Sequence, residues 1–294
     1  MSTFSAHVRR SVLDLVWSLW TECGVSGWRH RSSDVAIDTE ALILFTAQLG
    51  DLDSRLRDEA TDWCITYGNL VSTVRLKNIR KLGLGAGPEF DEFAATVNAH
   101  ADLGWPEGRA RERQLTPSGR SDLDLGRPGV AQLRARAIFG VAARTEILTL
   151  LAIDGTERTA TRLAERISFG RRITVEAADL LVRAGLLAAP DEAVPRSYVL
   201  RRRDEVRSLL GPLPARTPAW AHVFRVLAAT YDVAESAVDQ TPVVRAIETQ
   251  KRLVAVDESA LRAGLPRIPT LDATAASWTR FTDWAKDVLA RASS

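Results

Sequence analysis

Thr159-Ala-Thr-Arg-Leu-Ala-Glu-Arg-Ile167, then Ser168-Phe-Gly170, then Arg171-Arg-Ile-Thr-Val-Glu-Ala-Ala-Asp-Leu-Leu-Val-Arg-Ala184 is the stretch that decides how this chain folds. Leu163, Ala164 and Ile167 fall on one face of a short helix. Ser168 to Gly170 makes a tight turn. A second helix follows, with Ile173, Ala177, Leu180 and Leu181 as its expected inner face, and Gly185 stops it. Leu186-Leu-Ala-Ala189, a polar stretch from Pro190 to Arg196, and Ser197-Tyr-Val-Leu-Arg201 then have the pattern of a β-hairpin. Upstream, Ala131 to Ile153 places Leu133, Ala137, Ile138, Val141, Ile147, Leu148 and Leu151 at helical spacing, with a break expected near Gly140.

Short helix, three-residue turn, second helix and hairpin, in that order, predict a winged helix-turn-helix. The phrase Leu-Leu-Val-Arg-Ala-Gly-Leu-Leu (180 to 187) leading into the first hairpin strand resembles bacterial winged-helix transcription regulators of the ArsR and MarR type. The resemblance covers about a quarter of the chain, residues 131–203. It implies that Arg171 to Ala184 enters the major groove of double-stranded DNA, with the hairpin beside it along the backbone. With the inner face assigned as above, Arg171, Arg172, Thr174, Val175 and Glu176 project outward from the start of that helix, the part that approaches base edges. Arg171 and Arg172 suit guanine, and Thr174 a phosphate or a thymine methyl. Thr159 and Thr161 open the preceding helix, where hydroxyls and backbone amides bind phosphate. Arg196, Arg201, Arg202 and Arg203 flank the wing, whereas Asp191 and Glu192 at its expected tip would be repelled by phosphates.

Charge follows the same segment. Across all 294 residues, 39 Lys plus Arg stand against 37 Asp plus Glu, a net +2 that excludes a strongly basic coat for nucleic acid. Residues 131–203 alone carry 13 basic and 8 acidic residues, while residues 1–130 carry 15 and 18. The positive excess therefore sits on the expected DNA reader. Only Lys77, Lys81, Lys251 and Lys286 are lysines. The remaining cations are arginines, which favour bidentate contacts but also follow from GC-rich coding. The composition, 46% hydrophobic and 26% charged, excludes wholesale disorder and a disulfide-stapled miniprotein.

Outside the core segment, four regions are expected: a helical N-terminal domain (1–104), a flexible linker (105–130), the winged helix-turn-helix domain (131–211) and a C-terminal helical region (212–294). Helices are predicted over His7 to Glu22, Thr39 to Leu49 capped by Asp38, Ser54 to Tyr67 capped by Asp53, and Thr73 to Leu82 capped by Ser72. A further one runs from Glu89 to Ala101. From Pro106 to Gly129 there is no aromatic residue and much Gly, Pro and charge, hence the linker. The C-terminal helices are expected at Pro218 to Ala234, Pro242 to Val254 and Ala273 to Arg291. Trp17, Trp20, Trp28 and Trp63 read as core or dimer-interface anchors, and Trp278 and Trp284 as packing the last helix onto the body or a second subunit. Arg75, Lys77, Asn78 and Lys81 form a possible second basic surface, set against an ordinary solvated helix face.

Other motifs do not carry chemistry. Gly83-Leu-Gly-Ala-Gly87 follows a basic helix and runs into Pro88, unlike a phosphate-binding loop. Ser121-Asp-Leu-Asp-Leu125 resembles the paired aspartates of nucleotidyltransferases but lacks their upstream Gly-Ser turn. Cys23 and Cys64 sit among apolar neighbours as small core residues, and His7, His30, His100 and His222 have no metal-ligand spacing. There is no signal-peptide pattern and no apolar run long enough for a membrane helix. The expectation is thus a mainly α, cytoplasmic, non-enzymatic, sequence-specific DNA-binding regulator, as a homodimer and without metal or cofactor. The alternative is an antitoxin or adaptor that holds a protein partner and also binds its own promoter.

Overall fold

The computed structural model describes residues 3–27, 34–190, 195–236, 241–272 and 274–293. Among them the chain is mainly helical, with fourteen α-helices and one small three-stranded antiparallel sheet. Five helices come first: α1 (Thr3–Glu22), α2 (Thr39–Gln48), α3 (Ser54–Tyr67), α4 (Thr73–Lys81) and α5 (Pro88–His100). Three of their starts follow from the sequence. The Asp38 carboxylate accepts from the Ala41 amide at 3.1 Å, Asp53 from Leu56 at 3.0 Å, and the Ser72 hydroxyl from Arg75 at 3.3 Å. Each satisfies an amide that the first helical turn leaves without a partner.

α2 is the centre of the first core. Every residue from Thr39 to Ala47 is buried, and a helix covered all round needs neighbours on every side. α1, α3 and α5 supply part of that cover; α11 (Trp220–Ser236) supplies the rest, stacking Phe224 on Phe45 at 4.6 Å between ring centroids. α12 (Pro242–Val254), α13 (Asp257–Arg262) and α14 (Ala275–Ser293) join the same core. The helices expected as a C-terminal region therefore complete the packing of the N-terminal ones. Trp20 and Trp63 meet edge to face at its base, with the Trp20 indole donating to the Thr46 hydroxyl and the Trp63 indole to the Cys23 carbonyl. Trp278 packs against Phe4, and the Trp284 indole donates to the Pro266 carbonyl, so both ring systems serve the body of the same chain. Trp28 lies outside the described residues.

Residues 105–127 are irregular, as their lack of periodicity implies, but the expectation of a flexible linker is corrected. Neighbouring helices hold the segment along its length. Asp62 on α3, itself buried, accepts from the amides of Ser118 and Gly119 at 2.6 and 3.1 Å and from the Ser118 hydroxyl. Tyr67 donates to the Ser121 carbonyl, Thr96 accepts from the Arg113 amide, and Asn98 bonds both backbone groups of Trp105. Polar groups on α3 and α5 do much of the anchoring, and Trp105, buried in the first core, with Leu123 and Leu125 packed against that core, adds apolar contacts from within the segment. Further along, the Asp122 amide donates to the Gly24 carbonyl. Gly24 has φ +89°, and a Cβ there would lie 2.0 Å from the Asp122 carbonyl oxygen. Gly24→Ala is expected to cost about 1–3 kcal/mol through the combined strain and overlap, read as a lower urea midpoint with unchanged slope.

In sequence, the second core lies between these two sets of helices. It is built from α7 (Ala143–Asp154), α8 (Ala160–Ile167), α9 (Arg171–Arg183), α10 (Arg203–Leu210) and the sheet, with α6 (Ala131–Phe139) leading in. The break near Gly140 is present: Gly140 takes φ +80° and closes α6. The sheet has the order β1 (Arg158–Thr159), β3 (Ser197–Leu200), β2 (Leu187–Ala188). Leu187 pairs with Leu200 and Ala188 with Val199, which is the expected hairpin; Arg158 and Thr159 add a third strand along the far edge of β3.

Candidate nucleic-acid interface

The helix-turn-helix segment is assembled from local signals. Thr159 caps α8, its hydroxyl accepting from the Arg162 amide at 3.3 Å. Ser168 then adopts φ +56°, the one non-glycine residue among those described with positive φ, and reverses the chain into α9. The body fixes this turn from outside. Arg75 Nε donates to the Ile167 carbonyl at 2.9 Å and Asn78 Nδ2 to the Ser168 carbonyl at 3.0 Å, so α4 lies beside the start of α9.

α9 is rotated relative to its expected orientation. Its inner stripe is Thr174, Ala178 and Leu181, while Ile173 and Leu180 are 45% and 58% exposed. The difference is one residue in register, about 100° around the helix. Thr174 is fully buried because its hydroxyl returns to the Gly170 carbonyl at 3.1 Å, which lets a small β-branched residue face the core without an unmet polar group. The assignment of Thr174 to phosphate or thymine is therefore corrected. Val175 is half-buried against the second core. The outward row consists of Arg172, Ile173, Glu176, Leu180 and Arg183.

The remaining candidates are placed as follows. Arg171 is exposed and forms no ion pair among the described residues, whereas Arg172 and Glu176, both exposed, approach to 3.7 Å. Thr161 is exposed on α8. Arg196 lies over the Tyr198 ring and 3.2 Å from Asp179, which also accepts the Tyr198 hydroxyl; burial and that carboxylate push the phenol up to about 12. Arg201, Arg202 and Arg203 are exposed after β3; Arg202 reaches Glu205 at 3.4 Å, and Arg203 folds over Gly155. Asp191 and Glu192 at the expected wing tip lie outside the described residues.

The second basic surface is corrected for two of its four members. Arg75 is buried, paired with Asp38 and Glu40 at 2.5 Å each, and Asn78 is committed to the turn. Lys77 and Lys81 are exposed. Arg75 belongs to a buried network that sequence reading missed. Arg136 on α6 bonds Glu40 at 2.6 and 3.0 Å and Glu146 on α7 at 2.7 Å, and Gln132 also donates to Glu146. Burial alone would raise the Glu40 carboxyl, but Arg136 and Arg75 hold it below its ordinary value. These residues join the two cores. Asp124 accepts from the Gly126 amide and faces Arg127.

His222 at the start of α11 faces the same junction. Arg225 donates to the Ser259 hydroxyl, which leaves the hydroxyl proton for His222 Nδ1 at 3.2 Å. Burial, together with Arg262, Arg225 and Arg166 and opposed only by Glu258, lowers the imidazole to about 4. An unfolded chain takes up this proton at the ordinary value of 6.5, before the folded one does. Stability is therefore expected to fall as pH drops from about 6.5 toward 4. Urea midpoints measured between pH 7 and pH 5 should show this slope, and His222→Asn should flatten it.

Among the described residues no helix is long and apolar enough to cross a membrane, and no group of three or more His, Cys, Asp or Glu side chains is placed to hold a metal ion. The chain finds no match among protein-family models, curated proteins or solved structures.

Proposed function

We propose that residues 143–200 act as a winged helix-turn-helix and that the protein is a non-enzymatic, cytoplasmic, sequence-specific regulator bound to double-stranded DNA through the start of α9. The observation that carries this reading is the order α7, β1, α8, turn, α9, β2, β3, with β3 between its two partners and Arg171 and Arg172 exposed where α9 begins. Thr161 on α8, with Arg201 and Arg202 after the hairpin, supplies phosphate contacts. Lys77 and Lys81 on α4 extend the same basic surface, because Asn78 ties that helix to the turn. A dimer would present two such helices to a palindromic site. Selection of genomic fragments by the purified protein tests this: one sequence family should be enriched, with affinity falling steeply as salt rises. Recovery of no DNA at low salt would reject it.

A second reading is favoured by Ile173 and Leu180, which stand outward on α9 amid charged residues. An adaptor or antitoxin would use that row against a partner protein. A stoichiometric protein partner that is lost in Leu180→Glu, with no enrichment of DNA, would select it.

A further inference from the structure

A cavity of about 630 Å³ opens where the second core meets the helical body. That volume falls in the range of small-molecule sites. Its walls come from separate parts of the chain: Arg158 on β1, Arg162 and Arg166 on α8, Arg216 before α11, and Arg262 on α13. Four carboxylates also line it: Asp38, Asp154 and Glu165 are held in ion pairs, while Glu157 accepts a hydroxyl and keeps its charge without a cationic partner among the described residues. Asp38 pairs with Arg75, which lies outside the cavity lining. Asp154 pairs with Arg158 at 2.5 Å and accepts the Thr217 hydroxyl. Glu157 accepts the Ser197 hydroxyl, and Glu165 pairs with Arg262 at 2.7 Å.

Three guanidiniums are left under-neutralised. Arg216 is exposed and has no ion pair among the described residues. Arg162 reaches only Glu165, at 3.5 Å, and shares it with Arg262. Arg166 is half-buried, has no ion pair among the described residues, and donates to the Thr217 carbonyl. Burial lowers its pKa, which Asp154 only partly offsets. His222, on the same wall, is held neutral by burial and by the surrounding arginines. A concave site with spare planar forks suits an anion that offers several oxygens in different directions.

We propose that this cavity binds a phosphorylated small molecule of nucleotide size, with Arg162, Arg166 and Arg216 holding its phosphoryl oxygens. Such a ligand touches α8 on one side and the segment before α11 on the other, and so links the second core to the body. None of these three arginines lies on α9, but Arg162 follows Thr161 on α8, so a test of the proposal has to separate the cavity from the DNA surface.

Calorimetric titration of the full-length protein with inorganic pyrophosphate and with ADP tests it. Each chain is expected to take one ligand in saturable fashion. Arg162→Glu combined with Arg216→Glu should weaken binding at least about tenfold; both side chains are exposed, and an unchanged urea midpoint would show that the fold is intact. Arg171→Ala combined with Arg172→Ala should leave it unchanged. No saturable heat with either probe at millimolar concentration would overturn the proposal, as would full affinity in the folded Arg162/Arg216 variant. So would displacement of pyrophosphate by duplex DNA together with weakening by the Arg171/Arg172 pair, which would assign the cavity to the DNA surface instead.

Discussion

Arg136→Met is expected to lower the free energy of unfolding by about 3–5 kcal/mol, a large fraction of what holds a domain of this size together. The arginine has its charged end buried between Glu40 and Glu146, and it also donates to the Leu70 carbonyl at 2.8 Å. Methionine fills most of the volume but leaves both carboxylates short of a partner in a place water does not reach. Glu40 keeps Arg75 and the Ser72 amide, whereas Glu146 keeps Gln132, with Arg75 at 3.7 Å. Adding Glu146→Leu to Arg136→Met should therefore cost less than the sum of the two single changes. Glu40 adds a pH signature. Its carboxyl lies below the ordinary 4.5 in the folded protein, so its contribution is present above that value and is lost as pH falls through the folded one. Urea denaturation followed by tryptophan fluorescence measures all of this. A single Arg136→Met variant within about 0.5 kcal/mol of the parent would show that the junction does not depend on the network.

Arg171→Ala combined with Arg172→Ala is expected to weaken specific DNA binding by about 1–3 kcal/mol for each arginine that reads a base. The pair should leave the urea midpoint unchanged, since both side chains are exposed and Arg172 has only Glu176 nearby. A purely electrostatic role gives a different pattern: a uniform loss on all sequences and a shallower salt dependence. Comparing selected with unrelated duplexes by fluorescence anisotropy separates the two. Thr174→Val, by contrast, should leave DNA affinity unchanged, because that side chain is inside.

The ends of the elements were legible because their signals are local. Asp38, Asp53 and Ser72 cap the helices that follow them, Gly140 ends α6, and the three-residue turn sits where Ser168 to Gly170 predicts it. The rotation of α9 was not legible. Ile173 and Leu180 outrank Thr174 and Ala178 on any hydrophobicity scale, and the bond from Thr174 back to Gly170 lets the more polar stripe face the core, where Ala178 and Leu181 pack. β1 was missed because two residues carry no period. Residues 105–127 look unanchored since their partners, Asp62, Tyr67, Thr96 and Asn98, lie on other helices. The same holds for the junction: Arg75 reads as one more cation on a basic helix until Glu40 and Asp38 are brought to it, and Arg162 and Arg216 are too far apart in sequence to suggest a common wall.

The central claim is that the start of α9 reads bases, and a double-mutant cycle across the interface tests it most directly. One axis is Arg172→Ala, alone and with Arg171→Ala; the other is replacement of each guanine in the selected duplex by 7-deazaguanine, which removes the N7 acceptor. A base-reading arginine predicts that at one guanine the two losses overlap, so that the combined change costs clearly less than their sum. Strict additivity at every guanine, in a protein that still binds the duplex tightly, would contradict the claim and place the reading surface elsewhere on the chain.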